Sequence, residues 1–147
     1  MRDALFLKTR IAYYNMLRRC EESYHHKKYY YDRGIKICER WKKSFDNFLE
    51  DMKVCPENTS LDRIDNKKGY SKDNCRWASE NVQKWNRDFG PYKGVSWFVQ
   101  TSKWRARLTY GGKEFHLGYF EDKDKAKEVY DSHARIIDWL IETELLK

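Results

Sequence analysis

The sequence predicts an α+β fold, a ββα unit with supporting helices followed by a three-stranded antiparallel sheet packed on one helix. Three observations predict it. Ser60 to Ile64 alternates polar and apolar residues, Asn66 to Asp73 is loop material with a Gly, Cys75 to Ala78 can return as a strand, and Ser79 can cap a helix. Tyr92 to Phe98, Lys103 to Tyr110 and Lys113 to Tyr119 read as three strands, with Gly111 and Gly112 as a tight turn between the last two. From about Asp122 to Leu146, Ala126, Val129, Tyr130, Ala134, Ile137 and Leu140 fall on one side of a helix. The Gly90-Pro91 breaker separates the two patterns, so the chain divides into domains at 1–88 and 91–147.

The remaining elements follow in order. Leu5, Leu7, Ile11, Tyr14 and Leu17 predict a helix from about Ala4 to Glu22, with Arg18 and Arg19 where positive charge suits the helix dipole. The aromatic and polar stretch SYHHKKYYYDRG ends in a turn. GIKICERW, residues 34–41, predicts a short strand. SFDNFLEDMK predicts a helix capped by Ser44, with Phe45, Phe48, Leu49 and Met52 along one face. A ββα unit of under thirty residues cannot bury a core of its own, so these helices are its support.

In 147 residues there is room for one domain or two small ones. The net charge of +7 and 16% aromatic residues favour nucleic acid over acidic protein partners, although a basic solvated surface has the same composition. No apolar run approaches the roughly 18 residues of a membrane span, and MRDALFLKTR lacks the apolar core of a signal peptide. A cytoplasmic protein without membrane association is expected. Cys20, Cys38, Cys55 and Cys75 form no CxxC pair, so neither structural zinc nor a disulfide framework is expected.

A ββα unit can hold Asp62 on its first strand, Asn74 at the loop exit, and Gln83 or Asn86 on its helix, converging on one small volume. At these residues, LDRID, GYSKDNCRW and the following Gln and Asn, the sequence resembles the HNH nuclease family, in the bacteriophage type where Asp-Arg is common. RGIKICERW and SFDNFLEDM precede them in the same order in that type, so the resemblance covers roughly Thr9 to Arg87. It implies a metal-dependent DNA endonuclease or nickase, phage-encoded or homing, working in the host cytoplasm. Asp62 and Gln83 would bind Mg²⁺, or Mn²⁺, with Asn74 ordering the loop and Asn86 as the other candidate ligand. The family's general base is a His after the Asp, and Arg63 stands there. Arg63 can neutralise a phosphate but cannot accept a proton. His25 and His26 are either a borrowed base or a solvated loop.

Along Lys103 to Tyr110, Trp104, Ala106 and Leu108 share one face and Arg105, Arg107 and Thr109 the other. Between Tyr92 and Lys113 every charged residue is basic, and from Glu114 onward acids outnumber bases, so the sheet rather than the helix would face phosphates. YKGVSW, KWRARL and FHLGYF with the following KAKEVYDSHA resemble the plant ethylene-response-factor DNA-binding domain, the APETALA-two fold. That resemblance implies a sheet in the major groove of double-stranded DNA, with contacts from Lys93, Ser96, Arg105, Arg107, Thr109, Glu114 and His116. Ser96, Glu114 and His116 depart from the plant pattern, so the plant target does not carry over. Arg63 also favours a second reading, a non-catalytic DNA-binding regulator with a degenerate finger. An RNA-binding role rests on charge alone, and a sheet cannot enter the deep, narrow groove of A-form RNA.

Overall fold

A computed structural model describes residues 2–146. The chain is a mixed α+β protein of two compact units, residues 1–80 and 81–147. Among the described residues, no helix is long and apolar enough to cross a membrane.

The first unit contains α1 (Arg2–Arg19), α2 (Glu39–Lys43), α3 (Phe45–Met52) and the antiparallel pair β1 (Thr59–Arg63) and β2 (Cys75–Ser79). Its core is aromatic. Trp41 and Phe48 are fully buried with ring centroids 4.9 Å apart, beside Met16, Tyr13 and Met52. The polar tips of these rings are satisfied, as burial demands. The Tyr13 hydroxyl donates to the Trp41 carbonyl at 2.9 Å, Trp41 Nε1 donates to Asp51 Oδ2 at 2.8 Å, and Trp77 Nε1 donates to the Met52 carbonyl at 2.7 Å. The Trp41 hydrogen bond is the first cause holding the Asp51 carboxyl below its usual range, with Arg40 adding to it. Ser44 caps α3, its side chain accepting from the Asp46 N–H at 3.0 Å. Thr9 is fully buried on α1, and its hydroxyl accepts the Cys55 N–H at 2.9 Å, fastening the chain after α3 to the first helix.

Residues 34–41 do not form the expected strand. Ile35 and Ile37 are buried with the alternation of a strand, but among the described residues they make a single bridge, Ile37 to Tyr70, parallel, and α2 begins two residues later. The facing segment is one residue long, lying between a turn and a 3-10 helix, so pairing cannot extend. What remains is a close backbone approach: Tyr70 N–H bonds to the Lys36 carbonyl at 2.8 Å, and a Cβ on Gly69 would stand 2.2 Å from that oxygen. Only Gly fits there.

The second unit contains α4 (Glu80–Trp85, from Asn81 on), β3 (Val95–Phe98), β4 (Lys103–Tyr110), β5 (Lys113–Phe120) and α5 (Lys123–Glu142). The sheet is antiparallel in the order β3-β4-β5 and packs on α5. Ala106 and Ala126 are fully buried, letting sheet and helix approach, and Leu108, Tyr130 and Trp85 fill the core. Asp122 caps α5 through the Lys125 N–H at 2.8 Å. The β4–β5 turn uses Gly111 and Gly112, both at positive φ. β3 is shorter than the expected 92–98, because Gly94 sits at φ +77° and Tyr92 to Gly94 form a turn. Trp85 donates from Nε1 to Asp138 Oδ1 at 2.7 Å, tying α4 to α5.

Candidate functional site

In the β1–β2 hairpin, Asp62 lies opposite Arg76 and Arg63 opposite Cys75. The Asp62 side chain is only 12% exposed, and its Oδ2 accepts from Arg76 Nε at 3.3 Å. This acid therefore has a fixed cationic neighbour across the hairpin. The sequence pattern did not single out Arg76, although pairing β1 with β2 through their alternation would have placed it.

Arg63 is buried. Its NH1 donates to the carbonyls of Lys68 at 2.8 Å and Asn66 at 3.2 Å, and its guanidinium lies 5.1 and 5.4 Å from the Tyr70 and Tyr30 ring centroids. The cation shapes the β1–β2 loop from inside. Asn74, also buried, orders the same loop: its Oδ1 accepts the Asp65 N–H at 2.9 Å, and its Nδ2 donates to the carbonyls of Asp65 and Gly69 at 3.1 and 2.8 Å. All of these bonds converge on residues 65–69, so the loop leaving Asp62 is held from both ends.

Gln83 and Asn86 lie on α4 and just after it, in the second unit, both half-buried. Among the described residues no cluster of three or more His, Cys, Asp or Glu could hold a metal. Magnesium characteristically takes one or two carboxylates and fills its remaining positions with water and phosphate, and the Asp62 carboxylate, a hard oxygen donor of that kind, fits that donor chemistry.

His25 and His26 are exposed with rings 4.1 Å apart, His25 packed 4.6 Å from Tyr24. Tyr24 in turn lies 6.1 Å from Tyr30, the ring beneath Arg63. Burial pushes the Cys75 thiol up to about 12, which suits a packed thiol rather than a reactive one.

The outer face of the sheet gathers most of the residues implied by the second resemblance. Ser96 pairs with Arg105, Arg105 with Tyr119, Arg107 with His116, and Thr109 with Glu114, and paired residues project from the same face. A β-bulge makes this possible. The register shifts between Ala106 and Arg107, leaving Leu117 unpaired on β5, half-buried against the core. Without that extra residue the alternation along β5 would carry His116 and Glu114 to the α5 side. Three aromatic contacts brace the face: Phe98 to Tyr119 at 5.2 Å, His116 to Tyr119 at 4.6 Å, and Arg105 over Phe98 at 4.8 Å. Phe98 and Tyr119 escaped the sequence reading, which followed charge.

Charge on this face is unevenly compensated. Arg107 donates to Glu114 at 2.8 Å and Lys103 pairs with Glu121 at 2.8 Å, whereas Arg105 has no carboxylate partner among the described residues. Ser96 Oγ and Arg105 Nε are both buried without a hydrogen-bond partner in the protein. Lys93 points elsewhere: its ammonium donates to the Trp85 carbonyl at the end of α4 and lies 4.5 Å from the Trp85 ring centroid, with burial lowering its pKa. It closes the helix C-terminus rather than joining the outer face.

No protein-family model matches this chain, and no curated protein or solved structure matches it.

Proposed function

We propose that the protein binds double-stranded DNA through the outer face of its β3–β5 sheet and is an HNH-type endonuclease or nickase, acting in the cytoplasm. The observation that supports this reading best is the sheet's outer face, where Lys103, Arg105 and Arg107 stand along one strand and Arg105 has no carboxylate partner among the described residues. Arg105 and Arg107 are the contacts, and the Arg107–Glu114 pair offers an acceptor beside a donor.

The nuclease half of the proposal rests on the hairpin, its ordered loop and Asp62. Asp62 would hold Mg²⁺, which in this role would neutralise charge on a scissile phosphate and its leaving oxygen. Arg76 holds the Asp62 carboxylate in place, and Arg63 and Asn74 fix the loop that follows it. A plasmid-nicking assay with Mg²⁺, Mn²⁺ and a chelator tests it. Cleavage is expected with metal and not with chelator, and Asp62→Ala should reduce it by roughly 10²-fold or more while duplex affinity stays within about twofold. Cleavage unchanged in Asp62→Ala rejects this assignment.

One observation favours the second reading, a non-catalytic DNA-binding regulator. Arg63, at the place where the resemblance implies a proton acceptor, is buried and bonded to the loop. Duplex binding with no cleavage under any divalent metal would establish that reading.

A further inference from the structure

The second unit contains a cleft of about 520 Å³ that adjoins the duplex-reading face and shares Arg107, Thr109 and Glu114 with it. It lies between α4 with the segment after it and the β4–β5 turn, and every lining residue belongs to this one unit. Its chemistry is specific. Lys84, Arg87, Lys93 and Arg107 contribute four cations against a single acid, Glu114, which is already paired with Arg107. Trp85 is buried in the wall, and Phe89 stands at the mouth 66% exposed, an aromatic ring presented to solvent within a small domain. Lys93 lies against both rings, 4.5 Å from Trp85 and 5.8 Å from Phe89, so the cation and the aromatic walls form one surface.

We infer that this cleft holds a nucleotide of a single DNA strand, the base against Phe89 and the phosphate on Arg87 and Lys84. The volume lies within the range that accommodates one small organic ligand and is too small for a base pair still in its duplex. An exposed aromatic ring beside excess positive charge is the chemistry by which proteins take unstacked bases regardless of sequence. Arg107 and Glu114 line the cleft and also stand on the sheet's outer face, so a strand parted from a duplex on that face has a short path into it. The inference rests on the proposed function for the presence of DNA, and on the cleft alone for the form in which it is taken.

The test is fluorescence anisotropy of the full chain with a labelled short oligothymidylate and, separately, a labelled duplex. Phe89→Ala and Arg87→Ala each change an exposed residue and should leave the fold intact. Each is expected to weaken the oligothymidylate about tenfold or more and leave duplex affinity within about twofold. Arg105→Ala is expected to do the reverse. Thymidine monophosphate should compete for the cleft, and inorganic phosphate at the same concentration should not. Oligothymidylate affinity unchanged in both cleft variants overturns the inference, as does competition by phosphate equal to that of the nucleotide. A duplex that fails to bind while the oligothymidylate still depends on Phe89 defeats the duplex reading and leaves the cleft assigned.

Discussion

Arg63 makes the physical character of the β1–β2 loop plain. Two backbone carbonyls, of Asn66 and Lys68, depend on one buried guanidinium flanked by Tyr30 and Tyr70. Breaking a buried charged interaction costs about 3 to 5 kcal/mol, so Arg63→Leu should lower the urea-unfolding free energy of the first unit by about 3 kcal/mol. A loss under about 1 kcal/mol would mean that the loop is held mainly by Asn74. Arg63→His is expected to lower stability too, without raising cleavage, since a shorter imidazole cannot reach both carbonyls; a rise in nicking rate would show that this position meets substrate after all. At Cys75 the sign is simple: a thiol whose pKa is pushed to about 12 is almost wholly protonated at pH 8. Alkylation at that pH followed by peptide mass spectrometry should leave Cys75 unmodified in the folded protein and label it in urea. None of this could be read from the sequence, where Asp-Arg is two adjacent charges. Burial of the second depends on aromatic residues thirty-three positions before it and seven after it.

Among the elements, those whose signal is local match the sequence reading, and those that need a partner elsewhere do not. The β4–β5 hairpin was legible from its alternation and its two glycines, α3 from its apolar face and its Ser44 cap, and α5 from its apolar face. Residues 34–41 carry a strand's alternation but find only one residue to pair with. The bulge opposite Arg107 was invisible because register is a property of two strands, and the orientation of Glu114 and His116 depends on it. The face it completes supports a binding prediction. Arg105→Ala with Arg107→Ala should weaken duplex binding and reduce the slope of log affinity against log salt by about one for each phosphate that is no longer neutralised. Both quantities unchanged would exclude the face. Gly94 anchors the same sheet to α5: at φ +77°, a Cβ there would lie 2.1 Å from the Tyr130 ring and 2.6 Å from the Arg107 carbonyl oxygen. Gly94→Ala combines left-handed strain with overpacking and should cost about 3 kcal/mol of the second unit's stability, read by thermal or urea unfolding.

At the scale of the whole molecule, the sequence's loudest punctuation, Gly90-Pro91, is not where the compact units divide. The division falls after Glu80, because Trp85 joins the cluster of Leu108 and Tyr130, bonds to Asp138 and is covered by Lys93. A fragment of residues 81–147 should therefore unfold cooperatively and bind duplex DNA, whereas residues 91–147 should be less stable by at least about 3 kcal/mol, the usual cost of removing a buried Trp. Equal stability of the two fragments would show that Trp85 is dispensable. Trp85 also has a bearing on ancestry. A sheet exchanged between two chains by recombination at the Gly-Pro junction would arrive with its core open and its acceptor at Asp138 unanswered, while a crossover ahead of Asn81 would deliver it whole. The self-sufficient module is thus longer than the one its breaker residues mark, and it begins with the turn of helix that carries Trp85.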